Sequence, residues 1–246
     1  MGLAVVRAMS ARRCKMTRTG LEATHVVVRD PFLLNYLSRV LRLRPGDDVE
    51  FFDGQGAARK ARLHSVAKDQ IVAHWHEALS ARKPVLTLAP IPVLARLKGH
   101  AEDDAISALS ALGFPTIRMF QAARDATHKD WNQKQLQRWQ RIAEDSCRQS
   151  GGYWCTQIEE YRSLDSALKN LDRIAYGDSE GQHLMPLKGQ RVGIVVGPEG
   201  GFSDVEKEIL VGSEAQALQL GKRTLRARHA ASLLPVAVLN HWWSQP

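Results

Sequence analysis

The chain has 246 residues, with 34 Lys and Arg against 26 Asp and Glu, a net charge of +8, and 44% hydrophobic residues. Such a length and composition support one or two folded units with a sizeable core and exclude a disordered chain. No apolar run reaches the ~18 residues that a transmembrane helix needs, so no membrane partner is expected. The charge favours a polyanionic partner, nucleic acid ahead of a membrane surface.

Along the chain, residues 1–22 read as a basic leader: the first 21 carry Arg7, Arg12, Arg13, Lys15 and Arg18 and no acid. This fits a disordered tail, a transit segment, or a start at Met9 or Met16, with a tail or later start preferred. Residues 23–83 read as short strands in a small β-barrel. Thr24–Val28 is a first strand, and Phe32–Leu43 an amphipathic segment stopped at Pro45-Gly46. Val49–Phe52 leads into an Asp53-Gly54 hairpin, and alternation resumes over 61–66 and 71–76. His74 and His76 share a strand face, but no third ligand accompanies them, so no metal site is expected. Lys83-Pro84 reads as a linker.

From there to residue 246 strands alternate with helices, which predicts a mostly parallel α/β sheet. The expected strands are 85–93, 116–120, 192–196 and 215–220. The expected helices are 102–112, 132–148, 164–171 and 203–211. In the long helix, Leu136, Trp139, Ile142, Ala143 and Cys147 fall on one face. Cys14, Cys147 and Cys155 have no C-x-x-C spacing; they suit a reducing, cytoplasmic compartment and offer neither a disulfide framework nor a zinc site.

The densest signal lies near the C-terminus. The β-branched run Val192–Val196 breaks into Gly197-Pro198-Glu199-Gly200-Gly201, a loop with almost no side chains, where a ligand can reach the main chain directly. Ser203 and Glu206 have the spacing of a capping box that opens a helix. A second strand ends at Leu220-Gly221 and runs into Lys222-Arg223-Thr224-Leu225-Arg226. Two glycine loops beside a basic run describe a site for a small polar cofactor next to an anionic partner.

These two motifs resemble the signatures of the ribosomal RNA uridine N3 methyltransferases, the RsmE-like branch of the SPOUT superfamily. Val40-Leu41-Arg42-Leu43 with Gly46-Asp47 is similar to that family's N-terminal PUA-like barrel. Arg141-Ile142-Ala143 with Gln149-Ser150-Gly151 is similar to its central helix end. The resemblance runs in order from about residue 24 to 243. It implies a PUA-like barrel followed by an α/β SPOUT domain with a deep trefoil knot. It also implies a homodimer with the active site at the subunit junction, and S-adenosylmethionine as cofactor. Val196, Gly197, Gly200, Leu220, Gly221, Arg223, Thr224 and Leu225 would bind that cofactor, and the partner would be ribosomal RNA or the small subunit. Arg39, Arg42 and Arg44 either line an RNA-facing side of the barrel or form a solvated face.

Methylating N3 of uracil requires loss of a proton, and positive charge beside the base favours the anion. Arg226 matches the family's motif Arg and takes this role, or grips a phosphate. His229 is a candidate proton acceptor, and Glu199 either structures the loop or touches substrate. The chain departs from the family after Arg226, with Ala227-Arg228-His229-Ala230 in place of Thr-Glu-Thr-Ala. Pro235 falls inside the last helix, where a kink is expected. The alternative readings are an RNA-binding or ribosome-assembly factor without catalysis, or a methyltransferase for another RNA position.

Overall fold

The computed structural model describes residues 12–86, 89–125, 131–183 and 191–243. Contacts divide the chain into an N-terminal unit, Met1–Val85 with Glu144–Cys155, and a C-terminal unit, Leu86–Ala143 with Thr156–Pro246. The first unit therefore takes twelve residues from the middle of the sequence, a segment that sequence reading assigned to the second domain.

The N-terminal unit contains β1 (Arg13–Lys15), α1 (Arg18–Glu22), β2 (Val26–Val28), α2 (Pro31–Asn35), β3 (Asp48–Phe52), β4 (Ala57–Val66), β5 (Ile71–Trp75) and β6 (Ser80–Ala81). The sheet order is β1-β3-β4-β5-β2, with β6 on β4. Only β1 on β3 is a parallel pair. The β3–β4 connection turns at Asp53, whose Oδ1 accepts the N–H groups of Gln55 and Ala57 at 2.7 and 2.9 Å. The register of β4 against β5 shifts between Leu63 and Ser65, a bulge that lets the long strand bend.

The expected helix over 32–43 is shorter and less regular. Asp30 caps α2 through the Leu33 N–H at 2.8 Å, and Pro31 supplies a helical φ at its first position. Tyr36–Val40 then widens into a π-turn that ends at Arg42, which adopts φ +52°. Arg39, Arg42 and Arg44 are all exposed around this turn.

Residues 12–22 are not a frayed tail; residues 1–11 lie outside the described range. Arg13 is 4% exposed and explains why. Its guanidinium donates to Glu50 Oε2 at 2.8 Å and to the Arg148 and Gly152 carbonyls at 3.3 and 2.9 Å. The rings of Phe52 and Tyr153 lie 4.7 and 4.5 Å from it. The Tyr153 hydroxyl also donates to Glu50 at 3.0 Å. A basic tail looks solvated in sequence because the partners that bury Arg13 come from residues 50–52 and 148–153.

The C-terminal unit contains β7 (Ile91–Ala95), α3 (Ala101–Ala111), β8 (Thr116–Phe120), α4 (Gln133–Ser150), β9 (Gln157–Tyr161) and α5 (Leu164–Leu168). These lead to β10 (Arg173–His183), β11 (Val192–Val196), α6 (Asp204–Gly212), β12 (Gln216–Gln219) and α7 (Ala227–Trp243). From Glu144 on, α4 belongs to the N-terminal unit. The sheet order is β12-β10-β11-β7-β8-β9, and every neighbouring pair is parallel.

The pleat of β11 makes the three layers. Val192, Ile194 and Val196 pack in a core with α3, α4 and α7, through residues such as Ile106, Trp139 and Leu234. Val195 packs on the opposite face with Leu164, Leu168 and Leu210 of α5 and α6. Two expectations shift. The strand placed at 85–93 is β7, and residues 87–88 lie outside the described range. The long β10 was not foreseen, because Gly177-Asp178-Ser179-Glu180-Gly181 reads as a turn and here interrupts the pairing of β10 with β12. α7 continues through Pro235 as one helix.

Replacing Arg13 by Ala leaves the Glu50 carboxylate with the Tyr153 hydroxyl but no counter-charge, and two part-buried carbonyls without this donor, at a cost of about 3–5 kcal/mol. Urea unfolding followed by tryptophan fluorescence should register a loss of that size, and a change under 1 kcal/mol (roughly the surface-pair range) would contradict the anchor role.

Candidate functional site

The carboxyl ends of β11 and β12 and the middle of β10 border a cavity of about 840 Å³. Open parallel sheets place ligand sites at this edge, because each strand hands over there to a loop free to vary. Val196, Gly197, Pro198, Glu199, Gly201 and Phe202 line it from the β11–α6 loop, and Leu220 and Arg223–Arg228 from the β12–α7 loop. Gly177, Asp178 and Ser179 contribute from β10.

The glycine loop carries few side chains of its own and is held by carboxylates. Glu199 Oε1 accepts the Lys98 N–H at 3.1 Å, tying the loop to the chain after β7. The preceding N–H, of Leu97, goes to Glu102 Oε1 at 3.0 Å. Glu206, 5% exposed, accepts the Ser203 N–H at 2.8 Å while Ser203 Oγ accepts the Glu206 N–H, so the expected capping box is present. Its second oxygen accepts the Ala123 N–H at 2.9 Å, from the loop after β8. Arg124 from that loop donates to the Gly200 carbonyl at 3.5 Å. Three loops at one sheet edge thus share two acidic side chains.

Of the residues singled out in the sequence, Val196, Gly197, Leu220, Arg223, Thr224, Leu225 and Arg226 line the cavity together. Gly200, Gly221 and His229 are not among its lining residues. A Cβ on Gly200 would meet the Arg124 Cβ and carbonyl at 3.3 Å, whereas one on Gly197 would come within 2.8 Å of the Phe202 ring. At Gly197 an added Cβ would require the Phe202 ring to shift, whereas at Gly200 it would make tight contact. Gly221 has φ +77°, which suits glycine for a different reason. His229 is exposed in the first turn of α7, its N–H bonded to the Arg226 carbonyl at 2.9 Å. Arg39, Arg42 and Arg44 belong to the other unit.

The sequence reading missed Lys98, Arg124, Asp178, Ser179, Phe202 and Lys207 as lining residues. No motif marks Lys98 or Arg124, but each follows shortly after a parallel strand, and that position was the available signal. With them, six cations (Lys98, Arg124, Lys207, Arg223, Arg226, Arg228) face two carboxylates, Asp178 and Glu199. Among the described residues, no carboxylate forms an ion pair with Lys98, Arg124, Arg223 or Arg226. Arg228 lies 3.8 Å from Asp104. The arrangement suits a small polar molecule held by main chain beside an anion.

Of the two histidines at the end of β5, His74 stacks edge-on to His64 at 5.0 Å, and His76 lies 3.4 Å from Asp48. Among the described residues no cluster of three or more potential ligands forms.

Removing the Glu206 carboxylate with Glu206→Ala takes this acceptor from the part-buried N–H groups of Ser203 and Ala123. Water can reach the Ala123 N–H, so the expected destabilisation is that of about one orphaned group, roughly 1–3 kcal/mol, measured by denaturant unfolding. Burial pushes the Glu102 carboxyl from its ordinary 4.5 up to about 7. The folded chain therefore holds that proton more tightly than the unfolded chain does. The resulting stability is complete below pH 4.5 and is lost as pH rises through about 7. In Glu102→Gln, unfolding curves across this window should flatten by up to ~1.4 kcal/mol per pH unit.

Comparison with known proteins gives the same picture. Residues 88–239 match the family described as RNA methyltransferase domain, and residues 33–74 match the RNA methyltransferase PUA domain. The chain is 28% identical to the ribosomal RNA small subunit methyltransferase E of Synechocystis over 211 residues, 79% of this chain and 66% of that one. The Neisseria gonorrhoeae protein of the same name, solved bound to S-adenosyl methionine, superposes with a TM-score of 0.78 at 23% identity, covering 94% of this chain and 97% of that one. A Legionella pneumophila protein solved with bound SAM gives a TM-score of 0.83 at 21% identity, covering 93% of this chain and 97% of that one. Since the first match spans well over half of its residues, this chain belongs to the RNA methyltransferase family.

Proposed function

We propose that the chain uses S-adenosylmethionine to methylate N3 of a uridine in small-subunit ribosomal RNA, as a cytoplasmic homodimer with the knotted SPOUT topology. The observation that carries this reading is the cleft itself: a nearly side-chain-free glycine loop beside a basic loop at a parallel sheet edge, with an excess of cations around them. The residues present suit the cofactor. Gly197 lies where a Cβ would collide with Phe202, and Val196, Leu220 and Leu225 give an apolar wall beside exposed main chain. When bound, the cofactor supplies a methyl group made electrophilic by its sulfonium.

The chain's task is then alignment and charge control. The loops after β11 and β12 hold the donor through N–H and C=O groups. Gly200 and Gly221, outside the lining, act in this reading by keeping those loops in shape. Arg226, on the cavity wall, favours the uracil anion over the protonated base, and His229 in the next helical turn accepts the proton. Lys98, Arg124 and Arg223 attract the RNA phosphates. Glu199 holds its loop, since its carboxylate takes the Lys98 N–H.

Titration calorimetry with S-adenosylmethionine should give saturable binding, and no heat at millimolar cofactor would reject the enzyme. Gly197→Val should lower that affinity about tenfold or more, because overpacking against Phe202 costs ~1–3 kcal/mol. The variant should still unfold cooperatively. Mass spectrometry of ribosomal RNA from a strain lacking the protein should reveal one uridine without its N3 methyl group. An unchanged uridine pattern would sink the assignment of base and position.

A further inference from the structure

A second cavity, of about 540 Å³, lies wholly within the N-terminal unit and is separate from the cleft just described. Its walls combine flat aromatic surface with hydrogen-bonding groups. Phe32, in the first turn of α2, lines the rim and is 70% exposed, which is unusual for a large apolar side chain. Tyr36, one turn further on, carries the Arg148 guanidinium 4.3 Å from its ring centroid, and its hydroxyl accepts a hydrogen bond from the same group. Asp53 and Gln55 line the cavity from the turn between β3 and β4. One Asp53 oxygen is taken by two backbone N–H groups; the other, among the described residues, accepts a long 3.4 Å contact from Arg18.

The charges here are already matched. Lys15 pairs with Glu144, Arg148 with Asp145 at 3.1 Å, and Arg18 with Glu22 at 2.8 Å. A phosphate would have to break those pairs, whereas an uncharged planar ring would not. Single-stranded RNA is recognised by unstacked bases laid on aromatic rings or Arg planes and hydrogen-bonded along their edges. An exposed Phe beside an Arg-stacked Tyr, with a carboxylate and an amide between them, has that character.

We propose that this cavity takes one unstacked RNA base, stacked against Phe32 and the Tyr36–Arg148 pair, with an edge N–H or amino group donating to Asp53 and further contact from Gln55. The site rests on the chain's reading as an RNA-directed protein but requires neither cofactor nor methyl transfer. It also differs from the Arg39–Arg44 turn that the sequence pointed to: those residues form no part of the cavity lining.

The test uses the full-length protein without cofactor and random single-stranded RNA of about ten nucleotides, within the usual range of single-strand site sizes, carrying one 4-thiouridine. Irradiation and peptide mapping by mass spectrometry should place cross-links at Phe32, Tyr36 or Gln55. Phe32→Ala should weaken binding of the same RNA about tenfold, in line with the loss of one base–aromatic stack. Phe32 is exposed, so the variant should fold. Cross-links confined to Arg39–Arg44 or to the C-terminal cleft, or an unchanged affinity in Phe32→Ala, would overturn the proposal. A protein that methylates no uridine yet cross-links here would refute the reaction and keep the pocket.

Discussion

A loop written Gly-Pro-Glu-Gly-Gly has little with which to hold itself, so its position is set by its neighbours. Here that work falls to carboxylates accepting main-chain N–H groups. Glu199 reaches the loop after β7, and Glu206 reaches the loop after β8 while closing its own helix. Charge-assisted bonds of this kind are stronger than neutral ones. They leave the glycine backbone uncovered while fixing its place, which side-chain packing could not do without filling the cleft. The site depends on this division of labour: anions within the framework hold the loops, and cations on the rim remain available for RNA.

Much of the C-terminal unit was legible because its signals are local. The Val192–Val196 run, the glycine break and the Ser203–Glu206 spacing sit within fifteen consecutive residues, and each has the expected structure. The same holds for β8, which matches its expected bounds, and for the apolar face of α4 as far as Ala143. What escaped was relational. Cys147 continues the helical stripe yet packs with Phe52, Ala58 and Cys155 in the other unit's core. Arg13 looks solvated until Glu50, Phe52 and Tyr153 close around it. Lys98 and Arg124 join the cleft only because parallel strands bring their loops to one edge. No spacing rule records partners that lie between 37 and 139 residues away, as Arg13's do.

The chain's excess positive charge is also unevenly spent. Around the N-terminal cavity nearly every cation has a carboxylate partner, whereas along the C-terminal cleft several have none among the described residues. Composition alone reported only the sum. On the readings proposed above, this distribution would give long-range attraction of a polyanion to one unit and close, nearly neutral contact to the other.

The borrowed segment Glu144–Cys155 has a consequence for biogenesis. When residue 85 leaves the ribosome, Arg13 still lacks the carbonyls of Arg148 and Gly152, and the ring of Tyr153 has not been made. At the usual ~5–20 residues per second, about 70 further residues take roughly 4–14 seconds. Throughout that interval the nascent N-terminal unit holds a guanidinium with Glu50 as its counter-charge but without its later carbonyl and ring partners, and an open core. Final closure of the first-made half of the protein is therefore timed by translation of its middle.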